Sequence, residues 1–556
     1  MNKIIDDLNV FHVQGKMRIK FSVVVLLVFS VSNIWGNIII VAKSGAAYAS
    51  VQTGVSAANA GDTVLVKAGI YNEVVSFAKG GSDITSYITL MGESGAILDG
   101  TGKGEVGISI SGKNYIRVIG MEIRNYTGNG TPMGISVDGS SNNLEIRNNK
   151  VHNIENATGN AHGIAFYGNN ATAISNILVD GNEIRNCKLG QSESLVLNGN
   201  VTNFIVSNNI VHDNDNIGID FIGFEGICST TALDQARDGI CINNTVYNIS
   251  SKTNPTYGGE QSADGIYVDG GKNIVIERNR VDNCDIGIEL ASEHKGKNTQ
   301  DITVRNNFIS GSFQANIMAG GYEARRGNAV NITIVNNTTF QGVGGELALQ
   351  FNCNNIVIKN NIFYANSNQS YLQNWGSNNL NITVNNNLYY GESTSSPGDW
   401  VDTNAKYVNP QLVNGAANMH IGPTSPAINA GIESGNSSNG TPESGTLDID
   451  NAARIVGTKI DIGADEYETP DMIVQNPDES VIVIYPNPAT NNITISSPQI
   501  ANQRTITICD ITGKKLITQQ LKNKETQIDI NNLTSGIYMV KLFIDEITEV
   551  RKIIKD

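Results

Sequence analysis

An asparagine closes a short apolar run nine times along this chain, at nearly the same phase of a repeat. Such runs include IRNNKV, VSNNIV and VRNNFI, and successive asparagines lie 24 to 35 residues apart. A recurrence of about 20–50 residues is the sequence signature of a solenoid, in which each repeat stacks on the next. The recurring residues are Asn149, Asn182, Asn209, Asn244, Asn279, Asn307, Asn337, Asn361 and Asn387.

Each repeat unit contains three short runs rich in β-branched and aliphatic residues, separated by Gly, Asn or Asp. Runs this short are not helices, whose mean length is about 11–12 residues. Three short strands per unit predict one coil of a parallel β-helix, with neighbouring coils about 4.8 Å apart. The predicted fold class is therefore all-β. We expect a right-handed parallel β-helix of about 10–12 coils over residues 37–468, closing segment included, followed by a small antiparallel β-sandwich.

The recurring asparagines are predicted to lie at sharp bends between strands. Asparagine tolerates the left-handed backbone conformation and can hydrogen-bond its own turn. Stacked identical amides can also bond to one another from coil to coil, as side-chain ladders do in other stacked β structures. We therefore expect these residues to build the scaffold and to have no catalytic role.

Residues 1–36 are predicted to contain a secretory signal peptide. Arg18 and Lys20 form a basic start, residues 21–31 form an apolar stretch, and small or turn-forming residues lead to a cleavage point after Gly36. The stretch is short for a membrane span. Met17 is expected to be the true start, and an N-terminal anchor helix remains the alternative.

Composition limits the classes of partner. Only 16% of residues are charged, 6% are aromatic and 57 are glycine, which is typical of a β-rich extracellular scaffold. The net charge of −15 argues against nucleic acid, because phosphate binding needs a basic face. An anionic substrate would need a local basic patch to overcome this field.

Six cysteines are spread along the chain without a C-x-x-C pair, so zinc or redox motifs have little support. An exported chain permits disulfides. Cys228 and Cys241 flank an insertion, and they either form a disulfide or, like the others, fill the core as free thiols.

The C-terminal part changes character. Residues 469–479 are polar with two prolines and are predicted to be a linker, and residues 480–556 alternate short strands with tight turns. The motifs YPNPA (485–489), DITGK (510–514), LTSGIYMVK (533–541) and KIIK (552–555) resemble the type IX secretion C-terminal sorting domain of Bacteroidota. This resemblance implies the type IX secretion machinery as a partner. It also implies export to the outer cell surface or the medium.

One zone of the repeat is rich in charge. Aligning the glycine-led strands GIDFI, GIYVD and GIELA places Asp220, Tyr267 and Glu289 in one outward column, with Asp269 two residues beyond Tyr267. Insertions at residues 227–239 and 250–262 are expected to wall a groove over this face. The turns nearby add further polar side chains: Glu225, Asp264, His294, Lys295, Tyr322, Arg325 and Arg326.

Residues 45–465 resemble the pectate-lyase-like superfamily of β-helices, many of which degrade acidic polysaccharides. Within it, the chondroitinase B and alginate lyase family uses a lysine base on one coil and an arginine on the next. Lys295 and Arg325 or Arg326 lie one repeat apart and match that arrangement in outline. The calcium-binding aspartate cluster of pectate lyases is not reproduced.

The predicted function is cleavage of a uronate-containing polysaccharide by β-elimination outside the cell, by a monomer. A base removes the C5 proton after the neighbouring carboxylate has been neutralised by a cation, Arg or Lys, and an acid protonates the leaving oxygen. Tyrosines are expected to stack on sugar rings, and carboxylates to hold Ca²⁺ through oxygen ligands. The candidate catalytic residues are Lys295, Arg325, Arg326, His294 and Glu289; the substrate-binding residues are Tyr167, Tyr267 and Tyr322; the metal ligands are Asp220, Glu225, Asp264 and Asp269.

Three alternatives stay open. Glycoside hydrolysis needs two carboxylates flanking the bond, at about 5–5.5 or 6.5–9.5 Å, and Asp220 with Glu289 or Asp269 with Glu289 would suit it. A noncatalytic surface adhesin would use the solenoid as a spacer or glycan-binding face. The charges would otherwise form only a solvated salt-bridge network, which contributes little energy.

Overall fold

The computed structural model describes residues 36–367, 369–391, 398–433 and 442–468, together with parts of the C-terminal segment. Those parts are residues 483–485, 489–496, 504–509, 515–521, 523, 525–534, 536–544 and 547–555. The predicted signal segment up to residue 35, the predicted linker and the 510–514 motif lie outside the described residues. The chain divides into two compact units, one ending at Tyr467 and one beginning at Glu468.

The first unit is a parallel β-solenoid of about thirteen turns, which confirms the predicted fold class. Its strands form three parallel sheets, because each strand pairs with its counterparts in the preceding and following coils. Sheet 1 contains Ile38–Val41, Thr63–Val66, Ile88–Gly92, Ile116–Ile119, Asn142–Arg147, Ile174–Asp180, Val201–Ser207, Arg237–Ile242, Lys272–Glu277, Asn298–Arg305, Asn328–Val335, Cys353–Lys359 and Leu380–Asn385. Sheet 2 contains Gly69–Tyr71, Ala96–Asp99, Glu122–Arg124, Lys150–His152, Glu183–Arg185, Ile210–Asn214, Thr245–Ile249, Arg280–Asp282, Phe308–Ser310, Thr338–Phe340, Ile362–Tyr364, Leu388–Tyr390 and Lys406–Tyr407. Sheet 3 contains Val75–Ser76, Val106–Ser111, Met133–Asp138, His162–Gly168, Leu195–Gly199, Ile219–Ile222, Asp264–Asp269, Ile286–Ala291, Ile317–Ala319, Leu347–Leu349 and Leu372–Asn374.

Alternation along each strand fills the interior with aliphatic side chains. Sheet 3 illustrates this, because one inward position is Ile or Leu in ten consecutive coils and is fully buried in each. Burying one such side chain contributes about 1.5–3 kcal/mol, so each added coil extends the core. These residues are Ile108, Ile135, Ile164, Leu195, Ile219, Ile266, Ile288, Ile317, Leu347 and Leu372.

The nine recurring asparagines form one continuous amide ladder between sheets 1 and 2. In each step the backbone N–H and the side-chain Nδ2 of one asparagine donate to the Oδ1 of the next. For Asn149 and Asn182 these distances are 3.0 and 2.9 Å. Nδ2 also donates to a backbone carbonyl in the preceding coil, such as Val118 O for Asn149. The ladder ends where Asn387 donates to Asp402 Oδ2 at 2.9 Å.

The left-handed conformation falls on a different residue from the one expected. None of the nine ladder asparagines has a positive φ; the residue before each usually does, as at Asn148 (φ 54°), Asn208 (φ 55°) and Asn306 (φ 55°). The preceding residue makes the bend and the ladder residue turns its amide inward. The prediction of a stacked amide ladder is thus confirmed, and the assignment of the bend to the same residue is wrong.

Short elements occupy the two ends of the first unit. A helix, Val51–Ala57, packs near the first strands, and its N-cap Ser50 accepts a hydrogen bond from the Thr53 N–H. Near the other end, Leu412–Asn414 and Asn418–Ile421 form a hairpin joined by a 3₁₀ turn, Gly415–Ala417. Two more 3₁₀ turns, Ser251–Thr253 and Pro255–Tyr257, lie in the second insertion.

The segment that follows the hairpin is organised around Arg454, which is almost completely buried. Its guanidinium donates to the carbonyls of Asp461, Gly463 and Ala464 at 2.7–3.0 Å. Asn336 Nδ2 donates to Asp461 O at 2.9 Å and joins this segment to the coils. A buried guanidinium whose two terminal nitrogens donate to backbone carbonyls holds the closing turns in one arrangement.

All six cysteines are buried free thiols, so the Cys228–Cys241 disulfide does not form. Cys241 points into the core from its sheet 1 strand, whereas Cys228 lies in a loop with its Sγ 3.4 Å from Asn170 O. The two thiols face different surroundings, which explains why they do not pair.

The second unit consists of small antiparallel sheets with their own core. One sheet contains Val483–Tyr485, Asn492–Ser496 and Glu525–Asp529. The other contains Lys515–Gln520, Arg504–Cys509, Gly536–Ile544 and Ile547–Lys555. No helix among the described residues is long and apolar enough to cross a membrane.

Candidate functional site

The outward face of sheet 3 carries the column that the sequence alignment predicts. Asp220 pairs in register with Tyr267, and Tyr267 with Glu289, so the three lie on successive rungs. Asp269 lies two residues beyond Tyr267 and also faces outward, opposite Ala291 of the next strand.

Two insertions are fixed against this face by buried acids. Asp234 accepts the Gly226 and Cys228 N–H groups at 2.7 and 2.9 Å, which folds the first insertion. Asp285 accepts the Ser251 N–H at 2.7 Å and anchors the second. Both insertions are thus held by hydrogen bonds to buried carboxylates.

The carboxylates of the column are deeply buried. Asp220, Asp269 and Glu289 are 1%, 4% and 6% exposed. Asp220 Oδ1 and Asp264 Oδ1 are enclosed without a hydrogen-bond partner among the described residues. Burial penalises the charged form of an acid, so the pKa values of Asp220, Asp264 and Asp269 all lie well above their usual range.

Asp264 and Glu289 form a proton-sharing pair. Their side chains lie within hydrogen-bonding reach of each other, and two ionised carboxylates cannot bond. Burial and the neighbouring Glu289 carboxylate raise the pKa of Asp264, which keeps its proton and donates. Burial raises the pKa of Glu289 to about 7, although the bonds from Asp264 and from Gln350 Nε2, at 3.2 Å, favour its ionised form.

A second buried group joins the predicted Tyr167 to Glu193 and His162, two residues that the sequence analysis missed. Burial lowers the pKa of His162 to about 4, so the imidazole is neutral, with Nδ1 3.1 Å from Glu193 O and Nε2 2.7 Å from the Tyr167 hydroxyl. This geometry has Nδ1–H donating and Nε2 accepting. Burial, followed by the charge of Glu225, raises the pKa of Glu193 to about 8.

Glu193 was missed because it precedes a strand without a leading glycine. Leu195–Gly199 follows Ser194, so an alignment of glycine-led strands passes over it. It pairs Val196 with Asp220 and thus lies directly beside the acidic column. The 27-residue spacing from Asn182 to Asn209 contains a full coil. That spacing was the sequence signal from which the strand could have been found.

The metal-ligand candidates separate into two sets. Ligand atoms of Glu225, Asp269 and His294 all lie within 4.8 Å of one another. Asp264 is instead engaged with Glu289, and the pKa of Asp220 is raised by burial and by the charges of Glu193, Asp269 and Glu225.

Most of the predicted cations lie away from the buried acids. Lys295 is exposed in its turn. Arg325 is 74% exposed, and its Nε donates to Glu323 of the same turn at 2.5 Å. Arg326 comes closer, because its Nη1 donates to Glu293 O at 3.2 Å and its guanidinium covers the Tyr322 ring at 4.2 Å.

The three predicted stacking tyrosines have different environments. Tyr322 is 43% exposed and presents its ring to solvent and to Arg326. Tyr167 is partly buried and its hydroxyl is held by His162. Tyr267 is only 5% exposed, and its ring packs within the column.

Two comparisons bear on identity. Residues 483–556 match the secretion system C-terminal sorting domain. The chain is 37% identical over 370 residues to the uncharacterized protein YwoF of Bacillus subtilis (strain 168), a match that spans 63% of this chain and 77% of YwoF. The chain is thus an exported parallel β-helix protein with a type IX sorting domain, directed to the outer cell surface or the medium. Its solenoid belongs to the same family as YwoF.

Solved structures with similar folds are more distant in sequence. A polygalacturonase from Erwinia carotovora ssp. carotovora has 13% identity and a TM-score of 0.44, with 67% of this chain and 97% of that chain covered. A GH136 lacto-N-biosidase from Eubacterium ramulus has 13% identity and a TM-score of 0.43, with 63% and 68% covered. The fold assignment rests on the strand register described above.

Proposed function

We propose that this protein is an exported glycoside hydrolase in which Asp220 is the general acid and Glu289 the general base. The observation that carries the proposal is their placement in one outward column, two rungs apart. Two rungs of a sheet span about 9.5 Å. That is the upper end of the roughly 6.5–9.5 Å separation between the carboxyl groups of inverting glycosidases. The expected stereochemical outcome is inversion.

The surroundings give the two acids different protonation states. Burial holds Asp220 protonated near neutral pH, as a proton donor to a leaving oxygen requires. Glu289 has a pKa of about 7 and accepts bonds from Asp264 and Gln350, which favour its carboxylate form. Two carboxyl groups with separated pKa values are the usual basis for dividing acid and base roles. Asp264 positions Glu289 and has no proposed contact with the sugar.

Hydrolysis of a sugar without a carboxylate suits the charges better than β-elimination of a uronate. The Glu289 carboxylate, buried in the column, would repel a uronate carboxylate. The lysine required as the eliminating base, Lys295, is exposed in its turn. Tyr322, with Arg326 over its ring, supplies an exposed aromatic surface suited to a sugar face.

The test is incubation of the full chain with neutral glycans, pectate, alginate and glycosaminoglycans. The proposal predicts new reducing ends without the ultraviolet absorbance of unsaturated uronate. Appearance of that absorbance would replace hydrolysis with elimination. Binding to a glycan without any cleavage would identify the chain as an adhesin.

Lys295→Ala sharpens the same test. Because Lys295 has no role in hydrolysis here, this variant should keep the wild-type rate. Elimination with Lys295 as base predicts loss of turnover with an intact fold. Lys150→Ala is the matched control, since Lys150 is also an exposed lysine but lies on sheet 2.

A further inference from the structure

A group of three potential ligands lies at the edge of the acidic column, where the first insertion meets the turn after Ile286–Ala291. Carboxylate oxygens of Glu225 and Asp269 and a ring nitrogen of His294 lie within 4.8 Å of one another. Bonds from one zinc ion to such ligands are about 2.0–2.2 Å. Three atoms this close can reach one common ion through side-chain movements of under about 1 Å.

Buried atoms without partners distinguish this group from a surface ion pair. His294 Nε2 is enclosed and has no hydrogen-bond partner among the described residues. Asp220, 1% exposed, also has an unpartnered Oδ1. Buried polar atoms are normally hydrogen-bonded, so the unpartnered His294 nitrogen beside two carboxylates indicates a missing cation.

Neighbouring groups already orient two of the three ligands. Asn198 Nδ2 donates to Glu225 Oε2 at 2.7 Å, and the Glu293 N–H donates to Asp269 Oδ1 at 2.8 Å. In each case one carboxylate oxygen is fixed by the protein. Outer contacts of this kind hold metal ligands in place and tune their affinity.

The cap of the solenoid contains a cluster of the same composition, and the contrast is informative. His420, Asp450 and Asp465 also have ligand atoms within 4.8 Å of one another. There His420 Nε2 bonds Asp450 Oδ2 at 2.5 Å, Arg280 Nη2 bonds Asp450 Oδ1 at 3.0 Å, and the Ile421 N–H bonds Asp465 Oδ2 at 2.8 Å. Those groups satisfy one another with protein contacts, whereas His294 Nε2 does not.

We propose that Glu225, Asp269 and His294 bind one divalent transition-metal ion of the Zn²⁺ type beside the acidic column. An imidazole nitrogen with two carboxylate oxygens suits Zn²⁺ or a similar ion, whereas Ca²⁺ takes six to eight oxygen ligands. Three protein ligands leave one position open toward the groove, where water or a sugar hydroxyl can bind. This ligand set replaces the four-carboxylate calcium site expected from the sequence, which included Asp220 and Asp264. The site stands independently of the proposed hydrolysis.

The test is calorimetric titration of the untagged full chain with Zn²⁺, with Ca²⁺ titrated separately. We expect one Zn²⁺ per chain, and at least ~10-fold weaker binding in His294→Ala and in Glu225→Gln. His420→Ala, in the matched cap cluster, should bind Zn²⁺ as the wild type does. Circular dichroism of each variant reports whether the solenoid is intact.

Two results would overturn the proposal. One is Zn²⁺ binding that is unchanged in folded His294→Ala, or lost in His420→Ala, since the ion would then lie elsewhere. The other is Ca²⁺ binding more tightly than Zn²⁺, which would exclude an imidazole ligand. Neither result depends on any glycan being cleaved, so the site and the proposed hydrolysis fail separately.

Discussion

Two stacks of buried polar side chains run through the same solenoid, and they differ in how their hydrogen bonds are satisfied. In the amide ladder from Asn149 to Asn387, every side-chain nitrogen donates to the next coil and to a backbone carbonyl. In the carboxylate stack on sheet 3, Asp220 Oδ1 and Asp264 Oδ1 are enclosed without partners among the described residues.

The difference separates scaffold from function. A fully satisfied buried network rigidifies a fold, whereas an unsatisfied buried acid costs stability and is kept only where something else requires it. The ladder stabilises the coils. The carboxylate stack destabilises them, and its raised pKa values place proton donors and acceptors at one face of the groove.

The largest effect expected is on catalysis. Glu289→Gln removes the proposed base while keeping the shape of the side chain, so kcat should fall by about 10²–10⁴. Initial rates on the glycan identified by the product assay provide the measurement. Glu323→Gln, which affects only the exposed pair with Arg325, should leave the rate unchanged.

Substitutions in the amide ladder should lower the stability of the fold without changing the catalytic rate. Asn279→Ala removes the acceptor for the N–H and Nδ2 of Asn244 and loses the bonds to Asn307 and Cys241 O. Each buried group left unsatisfied costs about 1–3 kcal/mol, so unfolding free energy should fall by about 3 kcal/mol or more in denaturant titrations. Asn170→Ala, an exposed amide, should change it by no more than about 0.5 kcal/mol. An equal loss in the two variants would show that the ladder carries no special stability.

The carboxylate stack should make stability fall as pH rises. Glu193 has a folded pKa of about 8 against an ordinary value of 4.5, so the folded state holds the proton and the unfolded state releases it. The contribution of Glu193 to the free energy of unfolding is complete below about pH 4.5. It is lost as pH rises toward 8, at about 1.4 kcal/mol per pH unit. Burial of neutral His162 has the opposite effect, because its lowered pKa makes stability rise with pH. That rise is complete above the ordinary histidine pKa of 6.5.

The measurement is the unfolding free energy from pH 6.5 to 8 in the presence of a chelator. Glu193→Gln should flatten the slope by about 1.4 kcal/mol per pH unit relative to the wild type. Identical slopes in the two proteins would show that Glu193 is ionised in the folded state.

The amide ladder and the column of Asp220, Tyr267 and Glu289 could be predicted from the sequence because both follow from register. A residue that recurs at the same phase of the repeat stacks on its counterpart in the next coil. Strands that begin with a glycine can be aligned with one another from the sequence alone. Glu193 was missed because Ser194 replaces the glycine that marks the two neighbouring strands of sheet 3.

Exposure and orientation could not be read from register. Tyr267 and Glu289 occupy equivalent outward positions, yet both are covered by turns and insertions that leave Tyr322 exposed. The separation of Arg325 from Arg326 depends on the local turn, since adjacent residues point in different directions. The pairing of Asp264 with Glu289 depends on side-chain conformations that no repeat pattern specifies.

The sign of the stability change in Asp220→Asn tests the contrast between the two stacks most directly. The substitution keeps the shape of the side chain and removes its charge. Measured at pH 8 with a chelator present, the unfolding free energy should rise by about 1 kcal/mol or more, because a buried acid no longer has to be neutralised on folding. A fall comparable to that of Asn279→Ala would show that the carboxylate stack is a structural network like the ladder, and would contradict the account.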